Sequence, residues 1–244
     1  MTHREADLRQ IANPATLSVI NKWTELSKTV VERAIEIVVD HPSRTNIRLG
    51  DEDNFAVPAK FRGVPVLGVF VHAYPNIDQY IVSHEIGHWI LKLQGFSSII
   101  SKPRNFRPEA LLNSLASHPP LYELLVTFGH NPQIEIDSRT DHNIGLVSQL
   151  RERLEDPKNS ALYLADDVLN CSSEKRVQLE SKLQVHRPEI MSLLQKIISI
   201  RSSYDLSHRK SNMAFRKHLV SELNLGGEWD EHDDIKEALN DSWA

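Results

Sequence analysis

After Asn13-Pro14, apolar side chains return at Leu17, Ile20, Trp23, Leu26, Val30, Val31, Ala34, Ile35 and Val38. Spacings of three and four residues line one face of a helix, so this segment reads as one long helix, or two broken ones, ending before His41-Pro42. Asn13 suits the N-cap and Pro14 the first helical position, where a missing N–H costs nothing. The pattern then shortens. Residues 45–49, 55–61 and 64–71 are strand-like runs, the last apolar and valine-rich between Gly63 and Pro75. Asn76 reads as the cap of a further helix over residues 77–94, with Asp78 in its first turn, Gln79 in capping-box spacing and Gly95 as its stop. A loop over 97–107 leads to a helix over 109–116 that ends before Pro119-Pro120, and a short helical segment covers 121–128. From Ile144 to about Leu223 the pattern is helical, with starts at Asn159, Ser172 or Ser173, Pro188 and Ser211.

Composition narrows the class. The 244 residues are 40% apolar and 25% charged, with only 9 glycines. These are the proportions of a globular chain with one large domain or two small ones, leaning to helix, and not of a disordered, collagenous or membrane chain. The net charge of −5 argues against a protein that coats nucleic acid. The single cysteine, Cys171, cannot form an intramolecular disulfide, and no apolar h-region follows the N-terminus. The uncharged stretch 63–77 is too short, and too broken by Pro65, His72 and Pro75, to span a bilayer. A cytoplasmic protein without a membrane partner is the expectation.

Charge is uneven toward the C-terminus. Residues 174–217 carry a net +6 and residues 228–244 a net −6. The basic stretch holds only Tyr204 and Phe215 as aromatics, so a solvated helical face is favoured over nucleic-acid contact. The acidic end reads either as an independent solvated tail or as a cover for the basic face. Trp229 and Trp243 imply that part of it docks.

The chemistry is concentrated at His84-Glu85-Ile86-Gly87-His88. Histidines four residues apart on a helix lie one above the other, so both imidazoles can reach one ion. Zn²⁺ favours such nitrogen ligands and, in a catalytic site, leaves one position to water. Glu85 lies about 100° round the helix from His84 and can take a proton from that water. Apolar residues Ile81, Val82, Ile86, Trp89, Ile90 and Leu91 surround the motif. Two imidazoles and a carboxylate amid them are costly unless paired or metal-bound.

At His84-Glu85-Ile86-Gly87-His88-Trp89-Ile90-Leu91 the chain resembles the active-site helix of the zincins, in particular small cytoplasmic bacterial peptidases of the ImmA/IrrE type. Residues 55–96 carry the resemblance. It implies a zincin-like domain with a small sheet, placed over 1–144; with the helical pattern over 145–227 and the acidic tail 228–244, the expected fold is α+β. It implies a zinc metallopeptidase acting on a peptide or protein substrate, with His84 and His88 as zinc ligands, Glu85 as general base and strand 64–71 over the active-site helix. Leu91 and Gln94 stand where metzincins have glycine and a third histidine. Glu109, 21 residues after His88, resembles the third ligand of gluzincins, with Asn113 where many of them place a ligand-orienting aspartate. Glu109 equally suits a first-turn acid stabilised by the helix dipole.

Asp166, Glu123, His118 and Asp137 are rival third ligands. Tyr122, Tyr163, His130, His142 and Arg139 are candidates to stabilise an oxyanion. Cys171 reads as a small helix-end hydrophobe. The alternative function is a metal-binding regulatory or interaction protein whose basic helical surface meets a partner or nucleic acid.

Overall fold

The computed structural model describes residues 3–44, 54–147 and 156–243, so the strand expected over 45–49 lies outside the described residues. In chain order the elements are β1 (His3–Arg4), α1 (Glu5–Ile11), α2 (Pro14–Val30), β2 (Glu36–Asp40), β3 (Phe55–Phe61), β4 (Val64–Phe70), α3 (Gln79–Leu93) and β5 (Ser98–Lys102). There follow α4 (Phe106–Thr127), α5 (Pro132–Val147), α6 (Pro157–Asn170), α7 (Ser173–His186), α8 (Pro188–Arg201), α9 (Arg209–Glu222), β6 (Glu228–His232) and α10 (Asp234–Asn240). The fold is α+β with many helices. Among the described residues no helix is long and apolar enough to cross a membrane.

Contacts divide the chain into two units. A sheet unit takes residues 1–96, 123–130 and 233–244, and a helical unit takes 97–122 and 131–232. This division differs from the expected one at 144 and 227. The acidic end is shared out, with β6 in the helical unit and α10 in the sheet unit.

In the sheet unit the strands run in the order β1-β2-β4-β3, with β2 and β4 parallel and β3 and β4 an antiparallel hairpin. Arg62 and Gly63 make its turn at φ +53° and +79°. Positive φ at both central residues is the type I′ geometry that matches strand twist, and Gly63 adopts it without strain.

β2 corrects the expectation of helix up to Val38. α2 ends at Val30, and the chain turns through Glu32 at φ +59°. Ile37, Val38 and Val39 are then buried beside β4. A strand covered on both faces reads as a continuous apolar run, and the positions of Ile35 and Val38 also fit a helix. Tertiary pairing decides between them: Trp23 donates its Nε1–H to the Ile35 carbonyl at 2.7 Å, locking the exit from α2.

The end of the chain is built into this unit. Trp243 is fully buried against Trp23 and Trp89 and donates to the Val66 carbonyl at 2.9 Å. The docking expected of Trp243 is therefore met, while residues 228–243 form neither a solvated tail nor a loose cover.

The helical unit has its own core of Leu112, Leu115, Ala161, Leu164, Ile190 and Leu194, among others. β5 forms inside the stretch expected to be loop, and pairs antiparallel with β6, Ser98 opposite His232 and Lys102 opposite Glu228. α4 corrects a second expectation, because it runs unbroken through Pro119 and Pro120. Pro120 cannot donate to the carbonyl of Ala116, four residues back. Asn212 on α9 supplies the missing donor, with Nδ2 at 2.6 Å from that oxygen. Part of the basic stretch is paired locally. Lys175, Arg176, Arg187 and Lys196 pair with Asp141, Glu180, Glu189 and Glu222, and Arg216 is buried.

Candidate metal centre

α3 carries the histidine motif and is held rigidly within the sheet unit. Its N-cap is Asp78, whose Oδ1 accepts from the amides of Tyr80 and Ile81 at 2.8 and 3.3 Å. Asn76 was the expected cap. Gln79, expected to close a capping box, instead bridges to the Ile11 carbonyl and the Asn13 amide. Gly95, at φ +89°, ends the helix as expected, with Gly95 N bonded to Lys92 O and Phe96 N to Leu91 O. Val82, Ile86, Ile90 and Leu93 are buried. Ser83 Oγ donates to Thr16 Oγ1 at 3.1 Å, tying α3 to α2. Trp89 Nε1 donates to the Ala56 carbonyl at 2.8 Å, tying it to β3.

On this anchored helix His84 and His88 are half-buried, with their Nε2 atoms 3.1 Å apart and ring planes at 80°. Two nitrogens at 2.0–2.1 Å from one tetrahedral zinc ion lie roughly 3.3–3.4 Å apart. The observed separation is within a few tenths of an ångström of that value, so the pair fits one ion. Glu85, also half-buried, stands between them in sequence on the same helix. Tyr80, one turn before His84, packs against its ring at 6.0 Å and against His130 at 5.8 Å. Burial pushes the His130 imidazole pKa below its ordinary value despite the Asp78 charge, which favours a neutral ring.

Glu109 lies in the helical unit and has a different set of partners. Oε1 accepts from Ser101 N at 3.0 Å, Ser101 Oγ at 2.6 Å and Asn105 N at 3.0 Å, and Oε2 pairs with Arg104 at 2.9 Å. Burial pushes the carboxyl up, but the hydrogen bonds from Ser101, Asn105 and Arg104 outweigh it and hold the pKa below the ordinary glutamate range. With both oxygens so engaged, Glu109 is the anchor of the β5–α4 turn. Asn113 is likewise structural: its amide makes both hydrogen bonds of Ile99, at 2.9 and 3.0 Å.

The helical unit holds an ionic cluster. Asp166 on α6 is buried, and its Oδ2 accepts from His118 Nδ1 at 2.8 Å and from Arg139 Nη2 at 2.5 Å. Its Oδ1 accepts from Asn170 Nδ2 at 2.9 Å. Tyr122 stacks on His118, with centroids 5.2 Å apart and planes at 27°. Arg139 also pairs with Asp167 through Nε at 2.6 Å, and Asn143 donates to the other Asp167 oxygen. Burial raises both carboxyls. At Asp166 the contacts with His118 and Arg139 prevail and hold the pKa at about 2, whereas at Asp167 burial prevails and the pKa is raised.

Of the remaining candidates, Asp137 accepts from Ser172 N, just before α7, Glu123 and His142 are exposed, and Tyr163 meets Asn143. Burial pushes the Cys171 thiol up to about 11, so it is no thiolate nucleophile at neutral pH. The structure thus brings His84 and His88 together and gives Glu109 to a turn. It pairs His118 with Asp166, a contact across 48 residues of sequence that no local spacing announces. No family model matches the chain, and no curated protein or solved structure is significantly similar to it.

Proposed function

We propose that the protein is a zinc-dependent peptidase working through His84, Glu85 and His88. The reading rests on one observation, the convergence of the His84 and His88 Nε2 atoms to 3.1 Å on a helix that also carries Glu85. The side chains suited to holding the ion are His84 and His88, nitrogen ligands of the kind zinc favours. Glu109, expected as the third ligand, has its carboxylate committed to Ser101, Asn105 and Arg104. When bound, zinc supplies the Lewis acidity that brings a water's pKa close to neutrality. With the ion held there, Glu85 would serve as general base, its carboxylate taking a proton from the attacking water and returning it to the leaving amine. The neighbouring strands present the substrate chain to α3, as in the zincins that the helix resembles. With Cys171 as its single cysteine the chain needs no oxidising compartment, and a cytoplasmic location goes with this reading.

Glu85→Gln tests it. Glutamine is nearly isosteric but cannot take the proton. In zinc-loaded protein, cleavage of a fluorogenic peptide library is expected to fall by about 10²–10⁴-fold, with zinc content by mass spectrometry unchanged. Wild-type turnover in Glu85→Gln refutes the base. Protein that refuses zinc at neutral pH refutes the whole reading.

A further inference from the structure

The two-stranded sheet of the helical unit has two unlike edges. β5 and β6 pair antiparallel, with Ile99 opposite Glu231 and Ser101 opposite Trp229. In such a ladder the opposed residues alternate between pairs that exchange both hydrogen bonds and pairs that exchange none. Ile99 spends its N–H and its carbonyl on the Asn113 side chain, and Ser101 spends its N–H on Glu109 Oε1. Ile99–Glu231 and Ser101–Trp229 are therefore the pairs that exchange none. It follows that the backbone N–H and C=O of Trp229 and Glu231 point outward, away from β5. On β5 the outward groups of Ile99 and the Ser101 N–H are met by side chains of α4. On β6, among the described residues, the outward groups of Trp229 and Glu231 have no hydrogen-bond partner and no further strand lies beside them.

The open edge is also charged. Glu228, Asp230 and Glu231 are exposed along it, and of the three only Asp230 pairs with a cation, Lys102 at 2.5 Å. A second copy of β6 is a poor occupant. The antiparallel register that uses both Trp229 and Glu231 sets Asp230 opposite Asp230, and like charges directly opposed destabilise a sheet. We propose that β6 is a docking edge for an extended, lysine- or arginine-rich peptide segment of a partner protein, which adds a third strand to the sheet. The backbone of that segment pairs with Trp229 and Glu231, and its cations lie beside Glu228, Asp230 and Glu231. In strand addition of this kind the main chain supplies the affinity and the side chains the selectivity. The proposal is independent of the zinc reading.

The full chain is titrated with fluorescein-labelled peptides and followed by fluorescence anisotropy. The probes are an alternating lysine–valine peptide, its glutamate–valine counterpart, and the lysine–valine peptide N-methylated at every residue, which keeps the charge and loses the backbone donors. The lysine–valine peptide is expected to bind, more weakly as salt is raised, and the other two are not. Glu231→Pro removes the outward N–H and no backbone bond to β5, and an edge strand tolerates proline there. It is expected to fold and to weaken peptide binding by about tenfold. Glu228→Lys is expected to weaken binding through charge. Equal binding of the N-methylated and unmodified peptides overturns the proposal, and so does wild-type affinity in Glu231→Pro. Failure of the lysine–valine peptide to bind at low salt also overturns it, and leaves the acids as guards of the edge against aggregation. Self-association of the chain that Glu231→Pro abolishes would give the edge to a second copy and overturn it likewise. Should Glu231→Pro not fold by circular dichroism, the N-methylated peptide and Glu228→Lys decide.

Discussion

α3 and the α4–α6 pair present imidazoles by opposite means. On α3 the register of the helix is sufficient: His84 and His88 are four residues apart, and their nitrogens meet because helical geometry stacks them. On α4, His118 is oriented by Asp166, which is 48 residues away, and Asp166 is held in turn by Arg139 on α5. The first arrangement survives changes in its surroundings and gives itself away in any sequence. The second exists only once three helices have packed, and it ties the orientation of one ring to the stability of a core.

The largest effect is therefore expected where charge is buried. Arg139→Met leaves Asp166 and Asp167 facing each other with no cation, and breaking a buried pair in this way costs about 3–5 kcal/mol. Denaturant unfolding of metal-free protein measures it. A loss below about 1 kcal/mol would show that the cluster is solvated and does not brace His118.

His84→Ala is the matching change on α3. On the proposed zinc reading, a site of about 10–16 kcal/mol shared among three or four ligands loses roughly 3–4 kcal/mol with one of them, or about 10²–10³-fold in affinity. Because His84 is only half-buried, metal-free stability is expected to shift by less than about 1 kcal/mol. Chelator competition and unfolding of the same sample separate the two quantities. If His84→Ala instead unfolds the apo protein with zinc affinity intact, the α3 pair is a packing feature and the contrast collapses.

The same contrast governs how much of the molecule was legible. The α3 motif, the strands β3 and β4 and the Asn13 cap of α2 are written in local spacing and were read from it. The Pro119-Pro120 pair was read as a stop, because the donor that rescues the Ala116 carbonyl comes from Asn212, 96 residues on. β2 was read as helix because a buried parallel strand has no period of its own. Glu109 stood at a gluzincin-like distance from His88, yet its partners Ser101 and Arg104 become visible only when β5 forms where loop was expected. Asn212→Leu tests the rescue of α4. It strands the Ala116 and Leu206 carbonyls, and is expected to cost about 1–3 kcal/mol in unfolding experiments.

The smallest predicted effect separates a turn anchor from a ligand at Glu109. Glu109→Gln keeps an acceptor for Ser101 and Asn105 but removes the charge that meets Arg104, itself about half-exposed. The expected loss is about 1 kcal/mol at neutral pH. Its pH dependence follows from the sign of the shift. The folded-state pKa lies below the ordinary 4.5, so the charge stabilises the fold fully above the unfolded pKa. That contribution is lost as pH falls below about 4.5 and through the folded value. Unfolding free energies of wild type and Glu109→Gln should therefore differ at neutral pH and converge as pH falls through the folded value. Zinc affinity should stay within about twofold of wild type, since both oxygens of Glu109 are already spent on the turn. A 100-fold loss of zinc with no change in stability would return Glu109 to the metal and leave the β5–α4 turn without its anchor.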